Sequence, residues 1–196
     1  MKYLPIAALA MFGLSAPLQA ECLDEIKAMM KAHLAAGPYH VDMDQTSDAG
    51  NHKVEADVIL PSSFRFKSPP VEGVMLKEGT WMKINGNWMQ LPAAASAQMT
   101  GTISNAIKSG MDGNLANLKN VQCLGPQSIE GKTLSAYSFD ASGEAMGIKA
   151  TSHITAYKDD QGRPAVMIVE GEAMGHKSKT VQHITYDPSI TITPPK

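Results

Sequence analysis

Residues Val74 to Pro92 read VMLKEGTWMKINGNWMQLP, and the centre of this stretch decides the fold. Asn85-Gly86 is the strongest two-residue signal for a type I′ hairpin, because both central residues must take positive φ. A two-residue loop sets Met82 opposite Met89 and Lys83 opposite Trp88. One face of the hairpin then carries Met82, Ile84, Met89 and Leu91, and the other carries Trp81, Lys83, Trp88 and Gln90. Neither face holds side chains that do chemistry. The hairpin reads as part of a wall around an apolar space.

Outward from the hairpin, the chain parses as helix, strands, helix, strands. Leu23, Ile26, Met30 and Leu34 recur at helical spacing until Gly37-Pro38 stops them. Val41 and Met43, then Val54, Ala56, Val58 and Leu60, alternate with polar residues around a turn at 47–51, the pattern of two half-buried strands. Phe64 and Phe66 continue as a third strand ended by Pro69-Pro70. From Ala93 the texture becomes Ala, Ser, Gln and Met, with Met99, Ile103 and Ile107 on one side of a second helix, weakened by Gly101 and broken at Gly110. Asn114 to Val121 offers a further helical turn. Strands return at 133–139, 148–157, 165–170 and 179–186, with a turn at 159–163, and a last strand carries Ile190 and Ile192. The class is α+β, one domain with an N-terminal helix, an antiparallel sheet and a helical insertion.

The first twenty residues read as a signal peptide. Lys2 supplies the positive start, Leu4 to Leu14 is an apolar run too short to span a bilayer, and cleavage is expected near Ala20. Glu21 before Cys22 argues against lipid attachment at that cysteine. The domain then covers 21–196, in the periplasm, with no transmembrane segment. The formal charge of −2 becomes −3 without Lys2, and no basic cluster remains, which excludes nucleic acid as a partner. Cys22 and Cys123 are the chain's two cysteines, and an even count in an exported chain implies one disulfide. It would close a loop worth up to about 4.7 kcal/mol of chain entropy.

Catalytic signatures are missing: no G-x-S-x-G, no S-x-x-K, no H-E-x-x-H. His33, His40, His52, His153, His176 and His183 are scattered, and His153 and His183 read as outward residues of strands. Neither an enzyme activity nor a cofactor is expected. Eleven of the 13 methionines lie beyond residue 20. Copper binding by thioethers would want close methionine pairs with histidine, and only Met29-Met30 with His33, or Met174 with His176, come near. Ordinary core filling and a cavity lined with adaptable side chains are the other two readings.

The order of these features resembles the LolA/LppX-type lipoprotein-carrier superfamily. The resemblance rests on the W-x-K-x-x-G-x-W-x-x-x-P hairpin (Trp81, Lys83, Gly86, Trp88, Pro92), the turn Asp159-Asp160-Gln161-Gly162-Arg163-Pro164, and the stretch Tyr186 to Pro194, which is similar to the family's terminal strand. It implies a strongly curved, incomplete antiparallel barrel whose open side is covered by the helices, with a hydrophobic cavity for a lipid, an acyl chain or a lipoprotein anchor. Cavity walls are then expected from Val58, Leu60, Phe66, Met82, Ile84, Met89, Met167 and Val169, with Met99 and Ile103 on the helical cover. Two departures stand out. Family members of the LppX kind are commonly lipid-anchored, and no motif here assigns delivery to an outer-membrane receptor. A second reading is an immunity protein that neutralises a toxin from a neighbouring cell, using Trp81 and Trp88 on the outer face as its partner surface. A monomer is expected.

Overall fold

The computed structural model describes residues 16–48, 50–108, 118–145, 148–173 and 175–196. Helix α1 spans Ala16–Ala35, and α2 spans Ala93–Lys108. The strands are β1 (Tyr39–Ser47), β2 (Gly50–Ile59), β3 (Ser63–Ser68), β4 (Val71–Leu76), β5 (Gly79–Ile84), β6 (Asn87–Gln90), β7 (Lys119–Ile129), β8 (Lys132–Ala145), β9 (Ile148–Lys158), β10 (Pro164–Ala173) and β11 (His176–Tyr186). All belong to one sheet in the order β6-β5-β4-β3-β2-β1-β11-β10-β9-β8-β7. Every pairing is antiparallel, and β6 and β7 at the two edges do not meet, so the sheet is an open, curved half-barrel. The chain builds one half outward from β1 to β6 and the other inward from β7 to β11, and β1 zips to β11 along nine residue pairs.

Helix α1 covers one face of the sheet over β7 to β10. Cys22, Ile26 and Met29 of the helix pack on Val121, Tyr137, Phe139 and Ala156, with Leu23, Met30, Ile154 and Met167 around them. The helix ends where Gly37 takes φ +83°, a left-handed turn that favours glycine, ahead of Pro38. Its buried stripe is rotated from the expected one: Cys22 and Met29 are deep, while Leu34 is 39% exposed. The disulfide joins Cys22 to Cys123 with Cα atoms 5.4 Å apart, fixing α1 to β7. Glu25 fixes it again, accepting hydrogen bonds from the Tyr137 hydroxyl and from Lys158 Nζ at 2.9 Å. These two donors hold its carboxyl below the ordinary range.

The Asn85-Gly86 turn has both residues at positive φ, +51° and +83°, and Met82↔Met89 and Lys83↔Trp88 are paired as the turn dictates. Val74–Leu76 ends β4, a strand before the tryptophan hairpin, and Lys77-Glu78 turns the chain into β5. Three other expectations are corrected. Val121 lies in β7, not in a helical turn, and 114–117 lie outside the described residues. Residues 190–196 form no strand, because β11 already has β1 and β10 on its two sides and offers no vacant edge. Leu60 lies just past the end of β2 and is half-buried. Residues 1–15 of the expected signal peptide lie outside the described residues, and α1 runs through Ala16 to Ala20.

Candidate functional site

Strand register converts the sequence pattern into a surface. Directly paired residues share a face, so Met89, Met82, Gly73, Phe66, Ala56, Val41 and Ile184 form one unbroken row across β6, β5, β4, β3, β2, β1 and β11. The adjoining row, Val54, Met43, Gln182, Met167, Ala156, Tyr137 and Cys123, runs under α1. The first row therefore lies on the helix-bearing face, beside the part that α1 covers. It contains no charged residue.

Along this row burial falls toward the β6 edge, while Met75 and Thr80, on the same face of β4 and β5, are each 1% exposed. Val41 and Val58 are buried, Phe66 and Met82 are half-buried, and Ile84 and Met89 are 48% and 54% exposed. We call this apolar strip, which runs from the part of the sheet under α1 to the β6 edge, the trough. Gly73 shapes its floor: a β-carbon there would lie 2.4 Å from Cε1 of Phe66 and 3.0 Å from Sδ of Met82. The Phe66 ring thus lies across the glycine, a contact that no hydrophobicity pattern reveals.

Of the expected cavity residues, register places Val58, Phe66, Met82, Ile84, Met89, Met167 and Val169 on the helix-bearing face. Met167 packs against the α1 cluster, at the closed end of the trough. Met99 is half-buried on α2, and the side chain of Ile103 lies outside the described residues. α2 packs on β5. A cleft of about 810 Å³ lies between α2 and the β4–β5 turn, lined by Leu76, Gly79, Leu91, Ser96, Thr100 and Gly101 among others. Thr80 of β5 is 1% exposed, and its hydroxyl has no hydrogen-bond partner among the described residues.

At the other end of α1, His33 Nδ1 lies 2.7 Å from the Tyr186 hydroxyl, which donates to the Pro164 carbonyl at 3.1 Å. The hydroxyl proton is thereby used, and His33 must donate from Nδ1. Tyr39 packs on both rings, and the Arg163 guanidinium lies 4.0 Å over Tyr186. Burial lowers the His33 pKa and pushes that of Tyr39 up to about 12. This cluster was invisible in the sequence because its members come from α1, β1, β11 and the β9–β10 turn. It acts as a latch, tying the C-terminal end of α1 to β1 and β11.

Trp81, Lys83, Trp88 and Gln90 share the opposite, outer face, both tryptophans half-buried. Lys83 lies 5.9 Å over the Trp88 ring and pairs with Glu72 at 3.1 Å. Next to them runs a ladder in which Asp57 accepts from both Arg65 and His40. Burial opposes ionisation of Asp57, but the two donors together outweigh it and leave its pKa lowered. A depression of about 250 Å³ lies between this ladder and Trp88.

For copper, Met29 is 1% exposed in the core, and Met174 lies outside the described residues. Among the described residues no three His, Cys, Asp or Glu side chains are grouped to hold a metal, and no helix is long and apolar enough to cross a membrane.

No family model matches the chain, and no curated protein matches it by sequence. Solved structures do match. The lipoprotein LppX of Mycobacterium tuberculosis aligns with a TM-score of 0.56 at 13% identity, over 91% of this chain and 100% of that one. A chain of the Pseudomonas aeruginosa MucA/MucB complex aligns with a TM-score of 0.50 at 12% identity, over 86% of this chain and 59% of that one. At such identities the likeness is one of fold, and the fold is the LolA/LppX type.

Proposed function

We propose that this chain is an exported, non-enzymatic binding protein that holds the apolar part of a lipid, an acyl chain or a lipoprotein anchor in the trough. The observation that carries this reading is the uncharged row from Met89 to Ile184, at whose outer end Met89 and the neighbouring Ile84 are 54% and 48% exposed. Ile84 and Met89 are diagonal neighbours on one face, and a contiguous exposed apolar patch, unlike scattered apolar residues, marks a binding site; thioethers at the open end suit ligands of variable shape. The fold supports the reading, since the LolA/LppX resemblance implies a carrier, and the aligned LppX is itself named a lipoprotein. Export is supported by the sequence of the first twenty residues together with the disulfide.

Organic extraction of the purified protein followed by mass spectrometry tests the proposal directly, and a co-purifying lipid is the expected result. A matched test replaces Met82 with Lys and Met89 with Glu, opposite signs so that the facing pair does not repel. Binding of a fluorescent fatty acid should be lost while circular dichroism keeps its strand signal. Unchanged binding in a folded double variant would remove the trough from consideration.

A second reading keeps a specific observation in its favour: Trp81 and Trp88 lie half-buried on the outer face, away from the trough. On it the protein is an immunity protein or inhibitor that meets a protein partner there, and the aligned complex is of two proteins. The trough would then be empty on extraction.

A further inference from the structure

Among the described residues the sheet has two edges, β6 and β7. β7 is guarded. Its pairing with β8 is interrupted by two register shifts, Gly125 takes φ +71°, and Pro126 follows. Bulges and proline are how proteins keep an edge from pairing with another chain. β6 reads Asn-Trp-Met-Gln; its one guard is its shortness, four residues with no bulge, proline or charge.

The direction of the β6 backbone follows from one bond. Leu91 N–H donates to the Thr80 carbonyl at 2.8 Å, and antiparallel ladders alternate inward and outward residues. Met89 and Asn87 therefore turn their N–H and C=O toward β5, and Trp88 and Gln90 turn theirs away from the sheet.

We propose that β6 pairs antiparallel with β6 of a second copy of the chain, about a two-fold axis at Met89. In that register Trp88 stands opposite Gln90 of the second copy, and Gln90 opposite its Trp88. Both are hydrogen-bonded pairs, so all four outward groups of each strand are satisfied together. The two Met89 side chains meet across the axis in the closely spaced pair between them, on the helix-bearing face. The seam is uncharged, and the nearby Lys83 is already paired with Glu72 at 3.1 Å, so two like edges meet without repulsion. Each copy would close the open end of the other's apolar row with its own Met89. Four residues make a seam smaller than the roughly 1,200 Å² of stable interfaces, so the dimer forms and dissociates with concentration. The inference rests on edge geometry and not on the ligand reading, although the two share Met89.

Sedimentation of the folded chain from micromolar to millimolar concentration should show a monomer–dimer equilibrium. Met89→Lys and Met89→Glu, at an exposed position that tolerates both, should each weaken it severalfold. Mixing the two variants should restore dimers of mixed composition. Met89→Cys should give an 89–89 cross-link on mild oxidation, identified by peptide mapping beside the native disulfide, and Gln122→Cys on β7 should give none. A chain that stays monomeric to millimolar concentration overturns the proposal, even if a foreign peptide strand binds β6. So does a wild-type dimer that the charge swap leaves unchanged, since its seam would lie elsewhere.

Discussion

Gly73 has no room for a side chain, and that single fact ties the trough to its chemistry. Phe66 Cε1 occupies the space 2.4 Å from where a β-carbon would stand, so Gly73→Ala must turn the ring off the floor. Overpacking of this kind costs about 1–3 kcal/mol. Urea denaturation should show the loss, and Phe66→Leu in the same chain should recover part of it, because contacting sites do not add. A fully additive pair would mean the ring does not lie on Gly73. His33 makes a separate prediction about pH. Its pKa is lowered by burial, so the native state favours the neutral ring, and the unfolded state binds more protons. Stability from this group is complete above the unfolded value of about 6.5 and is lost as pH falls below it. His40 works in the opposite sense. The hydrogen bond with Asp57 raises its pKa, so its contribution is present in acid and is lost as pH rises. Comparing the wild type with His33→Gln between pH 7.5 and 5 isolates the first effect. The wild type should lose more stability over that range than the variant; an equal loss would contradict a neutral, buried His33.

Elements differ in how plainly their residues announce them. The tryptophan hairpin was legible down to its register, because Asn85-Gly86 states its turn type. The β7–β8 hairpin uses the same backbone, with positive φ at Glu130 and Gly131, but glutamate is not a residue that signals such a turn. β7 was missed for that reason and because Gly125-Pro126 reads as a breaker. The Ile-Thr-Ile-Thr run after Asp187 has strand propensity without a place in the sheet, and propensity alone pairs with nothing. Helix α1 was legible as a helix, but not which of its apolar residues would be deepest, since the latch and the disulfide set its rotation. The disulfide can be tested as the element's main tie. Free-thiol titration of unfolded, unreduced protein should find almost none, and Cys22→Ala with Cys123→Ala should cost about 2–5 kcal/mol in urea denaturation. A smaller cost would shift the anchoring of α1 to Glu25, Tyr137 and Lys158.

At the scale of the whole molecule, one sheet presents two faces, and the two functional readings divide between them. Alternation along the strands made the division legible: apolar side chains were expected on one side of the hairpin and tryptophans on the other. Depth was not legible, because it depends on where α1 stops covering the sheet, and no local pattern states that. The outer face offers the cleaner discriminating variant. Trp81 stands opposite Val74, which is 3% exposed, so its removal would uncover core and confuse binding with stability. Trp88 stands opposite Lys83 beside the shallow depression, and Trp88→Ala should leave the fold intact. If the molecule works through the trough, fatty-acid binding by Trp88→Ala should match the wild type, since the indole is on the far side of the sheet. If it works as an inhibitor through this face, the same change should weaken the protein partner by roughly 30-fold or more, the usual cost of an aromatic hot spot at about 2 kcal/mol. Loss of fatty-acid binding in a folded Trp88→Ala protein would contradict the separation of faces itself, and with it the assignment of the trough.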